Sequence, residues 1–130
     1  MLELPLMDKV TKQEIVISAY SPLLRKTITL KNEVWVYKIL AMHGEVRSCR
    51  QFIQETIQNL DESSLIFKKK KDPNSIAIWK KCHFLTGMYE YIKIAIHLEN
   101  TDTGVVTTAH GSNNLPTYDM EPLSWAQMIM

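Results

Sequence analysis

The sequence predicts an α+β domain in which two helices from the first half of the chain pack on an antiparallel β-sheet. Runs rich in β-branched residues lie before and after one helical stretch and do not alternate with it. That segregation favours an antiparallel sheet over a doubly wound parallel one. Between two of the β-rich runs, Asp72-Pro73-Asn74 has the composition of a hairpin turn, because Pro presets φ and Asn tolerates unusual angles.

Length and composition indicate a single globular domain. The chain has 130 residues, of which 45% are hydrophobic and 22% charged, so it can bury a core without disulfide bonds or a structural metal. We expect a loosely attached arm over residues 1–12, the helix pair and sheet over 14–110, and a mostly irregular tail over 111–130. The net charge of +1 gives no general attraction to nucleic acid, so only a local basic patch would indicate such a partner.

Several classes of protein are disfavoured by what the sequence lacks. The two cysteines predict neither a disulfide framework nor a zinc motif. The first residues do not have the pattern of a signal peptide, and no run of 18 apolar residues predicts a membrane span. The expectation is a cytoplasmic protein without membrane association.

The first two strands are predicted to form a hairpin. The runs 14–20 and 26–30 alternate and are rich in β-branched residues, and Ser21-Pro22 breaks them. Asn32 follows as a candidate N-cap for the first helix.

Two helices are then predicted to meet at a His-Gly-Glu corner. His43 closes the first helix, and Gly44 is expected in the left-handed conformation that often follows a helix end. Glu45 is expected to open the second helix, where a carboxylate complements the helix dipole. The apolar positions at three- and four-residue spacing are Val34, Trp35, Ile39, Leu40 and Met42 in the first helix, and Cys49, Phe52, Ile53, Thr56 and Ile57 in the second.

Four further strands are predicted in the second half of the chain. They cover residues 64–69, 75–81, 89–99 and 104–110. Residues 123–130 are expected to form either a short closing helix or an apolar cover.

His43 and His110 are the candidate acid–base residues. An ordinary imidazole exchanges protons near neutral pH, which suits general catalysis, although a helix-end His43 can equally be a cap. Thr108 is expected on the same face of its strand as His110, since strand side chains alternate. The four histidines are dispersed without the spacing of metal ligands, so neither a metal nor another cofactor is predicted.

Two groups of lysines flank the predicted hairpin turn and are expected to cluster. Such a patch can bind the phosphates of RNA, and lysines can equally protect a strand edge from aggregation. The candidate RNA-binding residues are Lys69, Lys71, Lys80 and Lys81.

The order of these motifs resembles the phage-associated nuclease domains of the barnase–EndoU–colicin–RelE superfamily. Domains of that superfamily typically have a helix that ends in a His-Pro-Glu element and a last strand that ends in Thr-Ala-Tyr. The resemblance covers roughly residues 15–110. The motifs that carry it are Trp35 leading a helix into Leu40-x-x-His43-Gly44-Glu45, a second helix ending near Ile57-Gln58-Asn59, and the final Val105-Val106-Thr107-Thr108-Ala109-His110.

The resemblance implies a helix pair packed on a curved antiparallel sheet. It also implies a metal-independent ribonuclease that cleaves RNA by attack of the 2′-hydroxyl, in the manner of a toxin or phage-associated nuclease. His43 matches the His of the helix-end element, Thr108 matches the threonine of the last strand, and His110 stands where that pattern has Tyr. We expect His43 and His110 to be the acid–base pair in either order. Thr108 would position the phosphate, and Lys93 or a hairpin lysine would stabilise its charge.

The departures from the family pattern leave a second interpretation open. Lys38 and Met42 occupy places where relatives often have His and Arg, and Gly44 replaces Pro. The same fold could therefore be a catalytically silent module that binds RNA or a protein. The expected partners are RNA, an inhibitor or antitoxin protein, and a second copy bound through the apolar tail that contains Trp125, Met128, Ile129 and Met130.

Overall fold

The computed structural model of the chain describes residues 14–85, 87–116 and 118–123. Its centre is a mixed seven-stranded sheet with the strand order β1-β2-β6-β5-β4-β3-β7, accompanied by short helices, so the fold is α+β as the sequence predicts. None of the helices in these ranges has the length and apolarity needed to cross a lipid bilayer. The strands are β1 (Ile15–Ser21), β2 (Lys26–Lys31), β3 (Leu65–Lys69), β4 (Asp72–Lys81), β5 (Tyr91–Leu98), β6 (Thr103–Ser112) and β7 (Met120–Pro122).

The first helix, α1, starts as an α-helix over Asn32–Val34 and continues as a π-helix over Trp35–Leu40. Its buried side chains are Trp35 and Ile39, and Val34 and Leu40 pack partly against the core, whereas Met42, predicted in the same apolar stripe, is 73% exposed. The amide of His43 donates to the carbonyl of Ile39 at 2.7 Å, so the helical hydrogen bonding ends at this residue. A π-helical segment widens a helix locally and is often found beside a functional site.

The second helix, α2, spans Arg50–Gln58, so the prediction that Glu45 opens it is wrong. His43 leaves the helical region at φ −138° and ψ 64°, and a 3₁₀ turn over Gly44–Val46 follows. Gly44 is not in the left-handed region that the sequence predicts. The 3₁₀ turn buries Val46 completely, which places the core contact before α2 and delays the helix start.

The prediction of a purely antiparallel sheet is also wrong, because β2 pairs with β6 in the parallel sense. Only Thr27–Thr29 of β2 lies beside Thr103–Val105 of β6. The ammonium group of Lys26 donates to the carbonyls of Asn100 and Thr101 at 3.1 and 2.8 Å, which anchors the start of β2 at this point. Beyond Val105, β6 keeps β5 on one side and offers its other edge to non-strand groups.

One face of the sheet and the two helices enclose the hydrophobic core. This face consists of β-branched and other aliphatic side chains that alternate with the residues of the opposite face, as the strand patterns predict. The largest fully buried side chains are Ile17, Ile28, Leu30, Ile39, Val46, Ile53, Ile57, Ile78, Leu85, Ile92, Ile94 and Ile96.

The opposite face of the sheet is covered in part by the segment that follows β6. Trp79 is only 4% exposed although it points away from the main core, and its indole N–H donates to the carbonyl of Asn114 at 2.9 Å. The ring of Phe67 contacts Trp79 edge-on at 5.6 Å between ring centres. This segment is less irregular than predicted, since β6 continues to Ser112 and β7 pairs antiparallel with β3.

Some predictions fall on residues outside the described ranges. The arm over 1–12 and the closing helix, apart from Leu123, lie there, as do the four residues proposed for a homodimer contact. These expectations stay predictions.

The two cysteines meet in the core although 33 residues separate their numbers (82 − 49). Both thiols are free and buried, and Cys82 lies close enough to Cys49 to contribute to the pKa of the Cys49 thiol. Burial, then the contact with Cys82, then the Glu45 carboxylate raise the pKa of the Cys49 thiol to about 12. Cys49 is therefore a neutral packing residue, as expected for a cysteine in an apolar stretch.

Candidate functional site

The imidazole rings of His43 and His110 lie side by side. Their centres are 4.9 Å apart and their planes are inclined by 33°. His43 ends α1, whereas His110 lies near the end of β6, so the contact joins two elements that are far apart in the sequence. The His43 side chain is 33% exposed, which leaves its ring open to a ligand while one side rests against the protein.

The open edge of β6 explains how the two rings meet. The amide of Gly111 donates to Oε2 of Glu45 at 2.9 Å, in place of a strand on that side. The same carboxylate oxygen lies 3.8 Å from Nδ1 of His43. Glu45 therefore ties the 3₁₀ turn to β6 and holds a negative charge beside the His43 ring, where it attracts that ring whenever it is protonated.

The surroundings of His110 define which of its nitrogens is available. Nδ1 lies 2.8 Å from the carbonyl oxygen of Gly111. A carbonyl can only accept a hydrogen bond, so Nδ1 carries a proton in this contact. In the neutral ring Nε2 then has the free lone pair, which is the state required of a proton acceptor.

Gly111 is needed at this position because the ring of Tyr89 packs directly on its backbone. A Cβ at Gly111 would overlap with atoms Cδ2 and Cγ of that ring. Gly44, in contrast, has no atom within 4 Å of the place where its Cβ would stand. The close approach of Tyr89 fixes the end of β6, and with it the amide that binds Glu45.

Lys93 and Thr108 lie on the same sheet face as His110. Lys93 is the direct cross-strand partner of His110, and Thr108 precedes His110 by two residues in a regular part of β6. Cross-strand partners project from the same face, as do residues i and i+2 of one strand. Thr108 is half-buried, and its partner across the strands is Ala95.

The charge of Lys93 is displaced from His110 towards β4. Its ammonium nitrogen stands 5.0 Å from the centre of the Trp79 ring, a cation–π arrangement. Burial lowers the pKa of Lys93, the nearby charge of Lys69 lowers it further, and Asp119 opposes the shift. The chain thus places a partly desolvated cation on the face that carries the histidine pair.

The four candidate RNA-binding lysines do not form one patch, which corrects the sequence prediction. The hairpin reverses at Lys70-Lys71, and β4 already begins at Asp72. Lys80 and Lys81 therefore lie beyond Trp79 at the other end of the hairpin, about 20 Å from the turn at the rise of a β-strand. All four are exposed, but Lys69 and Lys71 belong to the turn, whereas Lys80 and Lys81 do not.

Sequence reasoning does not assign Glu45 and Gly111 to the site. It interprets Glu45 as a helix-opening carboxylate, although the position of Glu45 two residues after a candidate catalytic His is a usable signal. Gly111 gives no local signal, because its role depends on Tyr89, which reaches it only in the folded sheet. Within the described residues, no group of three or more His, Cys, Asp or Glu side chains is arranged to hold a metal ion.

Comparison with known proteins returned no relative. No family model, no curated protein and no solved structure matches this chain.

Proposed function

We propose that this chain is a metal-independent ribonuclease domain that cleaves RNA by attack of the 2′-hydroxyl, with His43 and His110 as its acid–base pair. The observation that carries the proposal is the contact of the two imidazoles at 4.9 Å. The resemblance to the barnase–EndoU–colicin–RelE superfamily supports the same reaction.

The reaction needs two proton transfers at one phosphodiester. His110 takes the proton of the 2′-hydroxyl through Nε2, since Nδ1 is committed to the Gly111 carbonyl. The 2′-oxygen forms a bond to phosphorus, the bond from phosphorus to the 5′-oxygen breaks, and His43 gives that oxygen a proton. The products are a 2′,3′-cyclic phosphate and a 5′-hydroxyl.

Three further side chains support this pair. Lys93 stabilises the negative charge that builds up on the phosphate oxygens, because its partly desolvated ammonium lies on the face that carries His110. The Thr108 hydroxyl positions the phosphate on the same face. Glu45 holds the His43 ring through the carboxylate that also binds the Gly111 amide, and it is a positioning residue.

The direct test is cleavage of a short labelled RNA in EDTA by the wild-type chain, His43→Ala and His110→Ala. Removal of a general acid or base is expected to slow cleavage by about 10²- to 10⁴-fold. An RNA with a single 2′-deoxy position at the cleavage site should resist the wild-type protein. The matched control is His97→Ala, since His97 is exposed at the far end of β5 and should leave the rate unchanged.

Two results would overturn the ribonuclease proposal. One is equal cleavage by wild type, His43→Ala and His110→Ala; the other is cleavage at the 2′-deoxy position. RNA binding without cleavage would instead support the silent binding module, which the departures from the family pattern leave open. Toxicity on expression that disappears in His110→Ala would support the expectation of an inhibitor or antitoxin partner.

A further inference from the structure

The hairpin turn between β3 and β4 forms one side of a basic cavity of about 520 Å³. Its walls are Lys69, Lys70, Lys71, Tyr118 and Asp119, and we call this group the lysine turn. The amide of Lys70 donates to the carbonyl of Asp119 at 3.0 Å, and Met120 of β7 pairs with Lys69. The segment that carries Tyr118 is therefore held against the turn by backbone hydrogen bonds.

The positive charge of the lysine turn exceeds the negative charge of Asp119 in its wall and of Asp72, which interacts electrostatically with Lys69. Lys68 forms an ion pair with Glu121 at 3.4 Å, but no such pair within 4 Å involves Lys69, Lys70 or Lys71 among the described residues. The Asp72 carboxylate accepts hydrogen bonds from the Asn74 amide and the Ser75 hydroxyl. The cavity has one acidic wall residue against three basic ones, so it favours an anion.

The field of the lysine turn extends to the face that carries the histidine pair. The positive charge of Lys69 lowers the pKa of Lys93, which is the cross-strand partner of His110. Two cations, Lys93 on β5 and Lys69 on β3, thus lie between His110 and the turn, and Trp79 of β4 stands beside Lys93. Phosphates placed along this line would relieve the repulsion between Lys69 and Lys93.

The lysine turn also offers a flat aromatic surface. The ring of Tyr118 is 90% exposed, although it stands beside three lysines. An exposed aromatic ring beside a basic groove is the arrangement on which bases of single-stranded nucleic acid stack. Bases in an RNA duplex are already stacked and would not be open to this ring.

We infer that the lysine turn is a second RNA subsite, which holds phosphates and one stacked base of a single strand whose scissile bond lies at His43 and His110. This inference rests on the proposed ribonuclease function and adds to it the class of substrate, single-stranded RNA. It also assigns substrate binding to one end of the hairpin. Lys80 and Lys81 are neighbours in a strand, so their side chains leave the backbone on opposite faces of the sheet.

The test is binding of a fluorescent single-stranded 2′-O-methyl oligoribonucleotide of about 12 nucleotides by the full chain, measured by anisotropy. The methyl groups block cleavage through the 2′-oxygen, so binding is measured whether or not the protein is a nuclease. Lys70→Ala/Lys71→Ala is compared with Lys80→Ala/Lys81→Ala, which removes the same charge from the other end of the hairpin. Thermal unfolding of each variant checks that it is folded.

We expect the Lys70/Lys71 variant to bind at least about 10-fold more weakly and to show a shallower salt dependence, by about 0.7 for each phosphate that it no longer binds. The Lys80/Lys81 variant should bind within about 3-fold of wild type, a difference of under about 1 kcal/mol. Tyr118→Ala should bind about 5- to 100-fold more weakly, as expected when one base has no stacking partner. A matched duplex should bind more weakly than the single strand.

Equal weakening by the two lysine variants would overturn the subsite, as would an unchanged affinity of Tyr118→Ala or absence of binding by wild type. The two proposals fail separately. Tight single-strand binding that depends on the lysine turn, without cleavage of unmodified RNA, would contradict the ribonuclease proposal and support the subsite. Cleavage that depends on His110, with RNA binding weakened equally in the two lysine variants, would support the ribonuclease proposal and contradict the subsite.

Discussion

Two neighbouring rows of cross-strand partners in the centre of the sheet share their backbone geometry but differ in burial and in chemistry. Ile78, Ile94 and Ala109 form one row on the core face, and each is at most 1% exposed. One residue further along the strands, Trp79, Lys93 and His110 form the next row on the opposite face. Because successive strand residues alternate between faces, the same three strands supply one face to the core and one to the proposed site.

The comparison predicts that a change in the apolar row costs stability and a change in the polar row costs activity. Ile94→Ala removes a fully buried side chain and should lower the free energy of unfolding by about 2–5 kcal/mol. Urea unfolding monitored by circular dichroism gives the value. His110→Ala in the adjacent row, which removes one hydrogen bond to a carbonyl, should lower it by at most about 1.5 kcal/mol. Equal destabilisation by both variants would contradict the separation of the two faces.

The two glycines near the site offer a sharper version of the same test. Gly111→Ala forces a methyl group into the Tyr89 ring and should destabilise the fold by about 1–3 kcal/mol. Gly44→Ala places its methyl group in open space at a backbone conformation without positive φ, so it should stabilise by about 0.4–1 kcal/mol. Thermal unfolding measures both. The same sign for the two substitutions would show that the close approach of Tyr89 does not control this part of β6.

Glu45 joins the two regions, and its two roles can be separated. Glu45→Ala leaves the Gly111 amide without its partner and should cost about 1–3 kcal/mol of stability. Glu45→Gln keeps an oxygen that accepts the amide hydrogen but removes the charge beside His43, so stability should change by about 1 kcal/mol or less. If Glu45 orients His43, Glu45→Gln should lower the rate of RNA cleavage and shift its pH profile. An unchanged profile would leave Glu45 with a purely structural role.

The protonation of the buried Cys49 thiol is expected to have the smallest effect on stability at neutral pH. The pKa of Cys49 is raised from its ordinary value of 9.0 to about 12, mainly by burial. The folded chain therefore keeps a proton that the unfolded chain loses, and this contribution to stability is complete below pH 9 and is lost as the pH rises towards 12. Urea unfolding at mildly to strongly alkaline pH should show the decline for wild type and a weaker one for Cys49→Ala. Identical losses of stability in wild type and Cys49→Ala would show that ionisation of the Cys49 thiol does not cause the decline.

The strands can be predicted because their information is local. Ile92, Ile94 and Ile96 alternate with residues of the other face, and this pattern fixes β5 without knowledge of its neighbours. The parallel pairing of β2 with β6 cannot be found in this way. It depends on Thr27–Thr29 meeting Thr103–Val105, and neither segment contains a sign of the other.

The candidate site is predictable in part for the same reason. Motif order suggests His43 and His110, whereas Glu45 joins them through a backbone amide whose orientation depends on the open edge of β6. The sequence does not predict that Lys71 and Lys80 lie apart. It places the turn at Pro73-Asn74, whereas β4 already begins at Asp72 and includes a bulge at these residues. The contact of Glu45 with Gly111 and the separation of the lysines thus depend on non-local strand pairing and on strand length, which local sequence patterns do not predict.

The central claim is that His43 and His110 act as one catalytic unit, and a double-mutant cycle tests it most directly. Rates of RNA cleavage in EDTA are measured for wild type, His43→Ala, His110→Ala and the double variant. Since groups that act as a unit are strongly non-additive, the double variant should be about as slow as the slower single variant, near 10²- to 10⁴-fold below wild type. Single variants that cleave at the wild-type rate, or rate reductions that multiply in the double variant, would contradict the account.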